Sequence, residues 1–251
     1  MSGIGKLLRG CLEFNALKKP KLLEQFKAVK EHPAPKAVTF SCMDNRIIIT
    51  KLLQCDVGDM YLVRNAGNLV PHCETLSYDA VSTEPGALEL GCVMNEIPNV
   101  LVCGHSDCKA MNALYGMRDQ TQIKEGTPLT LWLKKHGHSS VKRYNELLNS
   151  PDGIGPLEFK IPGKTLRAYI DPDKKLSEVD KLSQVNVLQQ VENACSYDML
   201  KDKLQSGQVN VTALWFNIQT ADFFMFSKEK ERFLEVNEST IDHLVSDAGG
   251  H

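Results

Sequence analysis

Apolar and charged positions alternate at helical spacing from residue 4 to residue 30, where Leu7, Leu8, Cys11 and Leu12 form one stripe and Leu22, Leu23, Phe26 and Val29 another. The stripes break near Pro20, so the segment predicts two helices, or one broken helix, forming an N-terminal arm. Glu31-His32-Pro33-Ala34-Pro35 resists helix, because each proline fixes its own φ and restrains the residue before it; an extended connector is expected. Residues 36–42, 61–64 and 99–103 then read as strands, the first of them buried, with helix candidates at 46–55 and 84–96 between them. The second candidate opens on Glu84-Pro85, where proline suits a first helical turn, and carries Leu88, Gly91, Cys92 and Asn95 down one face.

Further helices are expected at about 107–117, near 128–148 and over 176–205, the last with Leu182, Val185, Val187, Leu188, Val191 and Ala194 on its apolar side. Residues 151–162 look like a loop, and 209–219 with 223–226 predict a hairpin around Thr220-Ala221-Asp222. Alternating strands and helices are the mark of a parallel sheet with right-handed crossovers. The expected fold class is therefore α/β: a central, mostly parallel sheet of order 2-1-3-4 with an antiparallel edge strand, flanked by helices. One domain over 1–251 is expected, with the arm at 1–35, the core at 36–240 and a tail at 241–251 that is loose from Asp247 to His251.

Composition narrows the classes of function. A chain of 251 residues with 42% hydrophobic residues can bury a sizeable core. Its 29 Lys plus Arg against 31 Asp plus Glu give a net charge of -2, which offers no footprint for nucleic acid. No apolar run approaches the roughly 20 residues that cross a bilayer, and no compact apolar stretch follows the start, so a soluble, non-secreted protein without membrane partners is expected. Eight cysteines in so long a chain then point to free or metal-bound thiols in a reducing compartment. Lys6, Arg9, Lys18, Lys19, Lys21, Lys27 and Lys30 against Glu13 and Glu24 faintly resemble a mitochondrial presequence but read first as a basic, surface-packing helix; the expected location is cytoplasmic or mitochondrial.

Two short segments carry the chemistry: Cys42-Met43-Asp44-Asn45-Arg46 and Gly104-His105-Ser106-Asp107-Cys108. A structural zinc usually has four protein ligands, whereas three plus a water is the catalytic arrangement, and Cys42, His105 and Cys108 make a set of three. Cys42 ends the first predicted strand and His105 follows the third. In a sheet of order 2-1-3 those strands are neighbours, and the crevice at their carboxyl ends is where ligands bind. Asp44 could accept a hydrogen bond from a zinc-bound hydroxide or occupy the fourth position itself, and Arg46 offers the planar fork that fixes a carboxylate bidentately. The other six cysteines read as buried small apolar residues. His72 and Tyr78 could relay protons or be a surface histidine and a packing tyrosine, and His136 and His138 read as a solvated helix end.

Cys-x-Asp-x-Arg after a strand, Arg64-Asn65-Ala66-Gly67-Asn68 after the next, and Cys103-Gly104-His105-Ser106-Asp107-Cys108 resemble the signatures of the β-class carbonic anhydrases, animal members above all. The resemblance extends through 56–60, 84–89 and 213–216 and covers about residues 5–240. It implies reversible hydration of carbon dioxide to bicarbonate and a proton, a role in pH homeostasis, and zinc, one ion per subunit, held by Cys42, His105 and Cys108. It further implies that Asp44 and Arg46 form the catalytic dyad that orients zinc-bound hydroxide, in a homodimer or tetramer whose N-terminal helices embrace the partner subunit. Members with a closed form, in which the aspartate binds zinc, use a tryptophan shortly before the first cysteine in a bicarbonate pocket. This chain has Thr39 there and keeps Arg64, so the open form is expected near neutral pH; Asn45 stands where serine is commoner. Two other readings keep the same residues: a hydrolase of carbon disulfide or carbonyl sulfide, and a non-catalytic zinc scaffold closed by Asp44.

Overall fold

The computed structural model describes residues 2–119 and 126–249. Its centre is a sheet of six strands among the described residues, in the order β2-β1-β3-β6-β7-β8. β1 (Ala37–Cys42), β2 (Met60–Asn65), β3 (Asn99–His105) and β6 (Asn210–Asn217) run parallel; β7 (Asp222–Ser227) and β8 (Arg232–Glu235) continue the edge antiparallel. Every residue of β1 is buried, as expected of a central strand covered on both faces, while β2 at the edge is half-buried. The predicted order 2-1-3-4 therefore holds with β6 in fourth place, and the edge is two strands wide instead of one. The short β8, only Arg232–Glu235, gave too brief an apolar pattern to be noticed.

The arm is two helices, α1 (Gly3–Leu17) and α2 (Lys19–Glu31), parting at Lys18, with Pro20 in the first turn of α2 where its missing N–H costs nothing. α3 is confined to Ile49–Leu52, shorter than the expected 46–55, because the carbonyls of Asp44 and Ile47 are drawn out of helical pairing by the Arg64 side chain. α4 (Thr83–Leu88) runs on as a π-helical turn, Glu89–Met94. α5 (Lys109–Gly116) and α6 (Pro128–Leu148) follow. The stretch 151–162, expected as a loop, contains β4 (Leu157–Ile161), which pairs with β5 (Lys164–Ala168) in a separate hairpin. Leu157 and Phe159 point inward and Glu158 and Lys160 outward, a period of two that the flanking prolines masked. The expected helix at 176–205 is α7 (Glu178–Cys195) and a separate α8 (Lys201–Gln205), broken at Ser196 and Tyr197. The tail begins with α9 (Ile241–Asp247), anchored by buried Leu244; residues 250 and 251 lie outside the described residues.

α7 packs against β3 and β6 and is buried nearly all round, polar residues included. Its amides face the loop after β2: Asn186 Nδ2 donates to Gly67 O at 3.0 Å, Asn193 Nδ2 to Val70 O at 2.8 Å, and Val70 N to Gln190 Oε1 at 2.8 Å. Asn68, Leu69 and Val70 are buried, so backbone groups that no strand pairs must find partners inside the protein.

Close approach of α7 to β3 requires glycine at 104. A Cβ there would sit 2.4 Å from Val187 Cγ2 and 3.3 Å from Trp215 Cδ1. Gly104→Ala is expected to lower stability by about 1–3 kcal/mol through overpacking, read as a lower urea midpoint at unchanged slope. An unchanged midpoint would mean that Val187 yields freely.

Candidate active site

Cys42 is the last residue of β1 and His105 the last of β3, and the parallel pairing of these strands sets their ends side by side. Cys108 caps the N-terminus of α5, one tight turn further on. The three donor atoms lie within 4.8 Å of one another and all three residues are buried. The two sulfurs are 3.8 Å apart, the spacing of about 3.8 Å that tetrahedral geometry gives two thiolates bound at ~2.3 Å from one zinc ion. His105 Nδ1 stands 2.8 Å from the Ser106 carbonyl, which can only accept, so Nδ1 carries the hydrogen and Nε2 presents its lone pair. Among the described residues Nε2 has no hydrogen-bond partner although it is buried. An orphaned imidazole nitrogen facing two thiols fits a zinc ion, the metal suited to a mixed sulfur and nitrogen set.

The thiols act as a pair. The contact with Cys108, the largest influence, outweighs burial and takes the Cys42 thiol down to about 4. The same contact with Cys42, together with burial, pushes Cys108 up. One proton is thus shared between them, and a bound cation would displace it.

Beside them Asp44 and Arg46 form a two-point ion pair. Arg46 Nε donates to Asp44 Oδ1 at 3.0 Å and Nη2 to Oδ2 at 2.8 Å, while the Arg46 backbone N–H adds a bond to Oδ1 at 2.9 Å. The guanidinium holds the Asp44 carboxyl well below the usual carboxylate range. The segment itself is fixed by Arg64, whose guanidinium donates to the carbonyls of Cys42 (3.2 Å), Asp44 (2.8 Å) and Ile47 (2.8 Å). A cleft of about 510 Å³ opens over this segment, lined by Cys42, Met43, Asp44, Asn45, Arg46, Ala66, Lys109, Ala110 and Leu129.

All five residues picked out in the sequence thus come together. Asp107 was overlooked: Arg46 Nη1 donates to its Oδ2 at 2.7 Å and Nη2 to its carbonyl at 3.0 Å. Its signal lay inside the second motif, as an acid between two metal-binding positions, but nothing in the spacing reveals its partner. Asp180 was missed as well; buried in the first turn of α7, it accepts the Asp107 N–H at 2.8 Å. Of the six other cysteines, Cys92, Cys103 and Cys195 are buried as expected, whereas Cys55 and Cys73 are half-buried and Cys11 is exposed on α1. His136 lies in the middle of α6, half-buried, with its ring tilted against that of Trp132 at a centroid distance of 4.5 Å; burial takes its pKa down to about 4. Tyr78 is 97% exposed.

The donor set yields a direct expectation. Cys42→Ser and Cys108→Ser should each leave purified protein with little zinc, whereas Asp44→Ala should keep close to one zinc per chain by elemental analysis. Full zinc in both serine variants would remove the thiols from the metal site.

Fold and site together define a mostly parallel α/β protein with two cysteines and a histidine placed so that they could hold a metal ion. Residues 37–223 match the family described as carbonic anhydrase. Beta carbonic anhydrase 1 of Caenorhabditis briggsae is 42% identical over 97% of this chain and 92% of its own length, and that of Caenorhabditis elegans is 41% identical over the same shares. The solved structure of the β-carbonic anhydrase CcaA shares the fold at a TM-score of 0.71 and 20% identity, covering 95% of this chain and 94% of that one. A tetrameric β-carbonic anhydrase of Sordaria macrospora shares it at 0.63 and 16% identity, over 88% and 95%. The chain belongs to the β-carbonic anhydrase family, whose members are lyases of the carbonate dehydratase type.

Proposed function

We propose that this protein catalyses the reversible hydration of carbon dioxide to bicarbonate and a proton at a zinc ion held by Cys42, His105 and Cys108. Bound there, zinc would act as a Lewis acid that brings the ionisation of a water towards neutral pH. The observation that carries the reading is the Asp44 carboxylate, ionised and clamped by Arg46 at the rim of the cleft that Cys42 also lines. An ionised carboxylate only accepts hydrogen bonds, so Asp44 can take the hydrogen of an attacking water and turn its lone pair towards the substrate. It cannot donate, so it favours a nucleophile that has a hydrogen to give. Met43, Ala66, Ala110 and Leu129 give the cleft apolar walls, which suit a small uncharged molecule.

Asp44→Ala is expected to keep its zinc and lose about 10²–10⁴-fold in carbon dioxide hydration by stopped flow. Because Arg46 holds Asp44 well below the usual carboxylate range, its charge is constant from pH 6 to 9. The wild-type rate in that interval should therefore rise with a single ionisation, that of the attacking water. Undiminished hydration by Asp44→Ala would overturn the mechanism.

We propose further that the active form is a homodimer, or a tetramer built from it, in which α1 lies on a second copy. Ile4, Leu7, Leu8, Cys11 and Leu12 occupy one face of α1, and no residue of that helix is buried within the chain. Met43 and Leu129, which line the cleft, are exposed as well. Leu8→Glu combined with Leu12→Glu should reduce the sedimenting mass to that of one chain; an unchanged mass would place the assembly surface elsewhere.

A further inference from the structure

We propose that Asp107 is a positioning residue for this reaction: it fixes Arg46 from the side opposite Asp44 and thereby braces the segment carrying Cys42 against the turn carrying His105 and Cys108. The inference deepens the reading of the zinc site given above.

Arg46 spends its donors evenly. Two go to Asp44, through Nε and Nη2, and two go to Asp107, one to the carboxylate at 2.7 Å and one to the carbonyl at 3.0 Å. A long side chain gripped along one edge can pivot about that edge, whereas a planar fork gripped along two cannot. The Arg46 side chain is 38% exposed, so no packing substitutes for this second grip. An isolated exposed ion pair would be worth little, but here the partner is itself held in place. Asp107 has φ +51°, the left-handed region that aspartate and asparagine tolerate better than other residues with side chains. Its N–H donates to Asp180 Oδ1, and Asp180 Oδ2 accepts from Ser177 Oγ at 2.8 Å, at the cap of α7. The line Ser177–Asp180–Asp107–Arg46–Asp44 therefore leads from a buried, rigid helix to the carboxylate that faces the cleft.

The test uses zinc-loaded full-length protein. Asp107→Asn preserves size and tolerance of the left-handed backbone while removing the charge; Asp107→Gly removes the side chain and relieves the backbone. Each should lower kcat about tenfold with KM nearly unchanged, and should speed zinc release to a colorimetric chelator about tenfold. Asp180→Asn should shift both readouts in the same direction, and Asp107→Asn with Asp180→Asn should be no worse than the worse single variant, because they act along one line. Wild-type kcat and wild-type zinc release in Asp107→Gly would overturn the proposal, as would simple additivity in the double variant. Zinc release is independent of turnover. Faster release in the variants of a protein that hydrates no carbon dioxide would uphold the brace and sink the proposed activity.

Discussion

A buried imidazole nitrogen that finds no hydrogen-bond partner among the described residues is the constraint on which the rest of the site depends. His105 is fully buried and its Nδ1 hydrogen is committed to the Ser106 carbonyl, so Nε2 must face something other than water. Leaving such an atom unpaired costs about 1–3 kcal/mol, unless a cation takes its lone pair. The surroundings hold the ring to that task. Ser183 Oγ donates to the His105 carbonyl at 2.8 Å and accepts from Trp215 Nε1 at 3.0 Å, so the backbone at the end of β3 is pinned from α7 and β6 together. Gly104 lets α7 come close enough for that bond to form.

Two arginines divide the remaining work by the kind of acceptor they meet. Arg64 spends its hydrogen bonds on three carbonyls of the segment 42–47, neutral groups that do not move unless the backbone does. Arg46 spends its own on two aspartates and one carbonyl, charged groups on side chains that can rotate. The first makes the position of Cys42 as fixed as β1 itself; the second sets the direction of a carboxylate. This division also bears on Thr39 and Arg64. With Arg64 committed to backbone, and Thr39 fully buried with its hydroxyl against Met60, the residues around the β1 end form a support for the metal-binding segment. Asp44 meanwhile rests on Arg46.

The cluster of Cys42, His105 and Cys108 was legible because a zinc site would demand such side chains, and because strand ends in a parallel sheet are easy to place from apolar runs such as 36–42 and 99–103. What was not legible depends on partners rather than patterns. Asn186, Gln190 and Asn193 in α7 blurred its apolar side, yet they are there to pair the backbone of the loop at 67–70, a loop buried only in the folded protein. Residues 46–48 fell within the helix expected at 46–55, but Arg64 hydrogen-bonds the carbonyls of Asp44 and Ile47. Asp107 stood in the motif, and its role depends on a positive φ and on Asp180, 73 residues away in the chain. A local pattern contains neither.

The thiol pair links metal to proton. Cys42 and Cys108 lie close enough to share a hydrogen, so each depresses or raises the other instead of titrating independently. An ion seated on both sulfurs needs two thiolates and must therefore expel that proton. Affinity for the metal accordingly rises with pH while the shared proton persists. The pairing also has a structural consequence, because the S···S contact joins the end of β1 to the start of α5 by itself. A metal ion held by both thiols would take the place of the shared proton, at the joint between two segments distant in sequence.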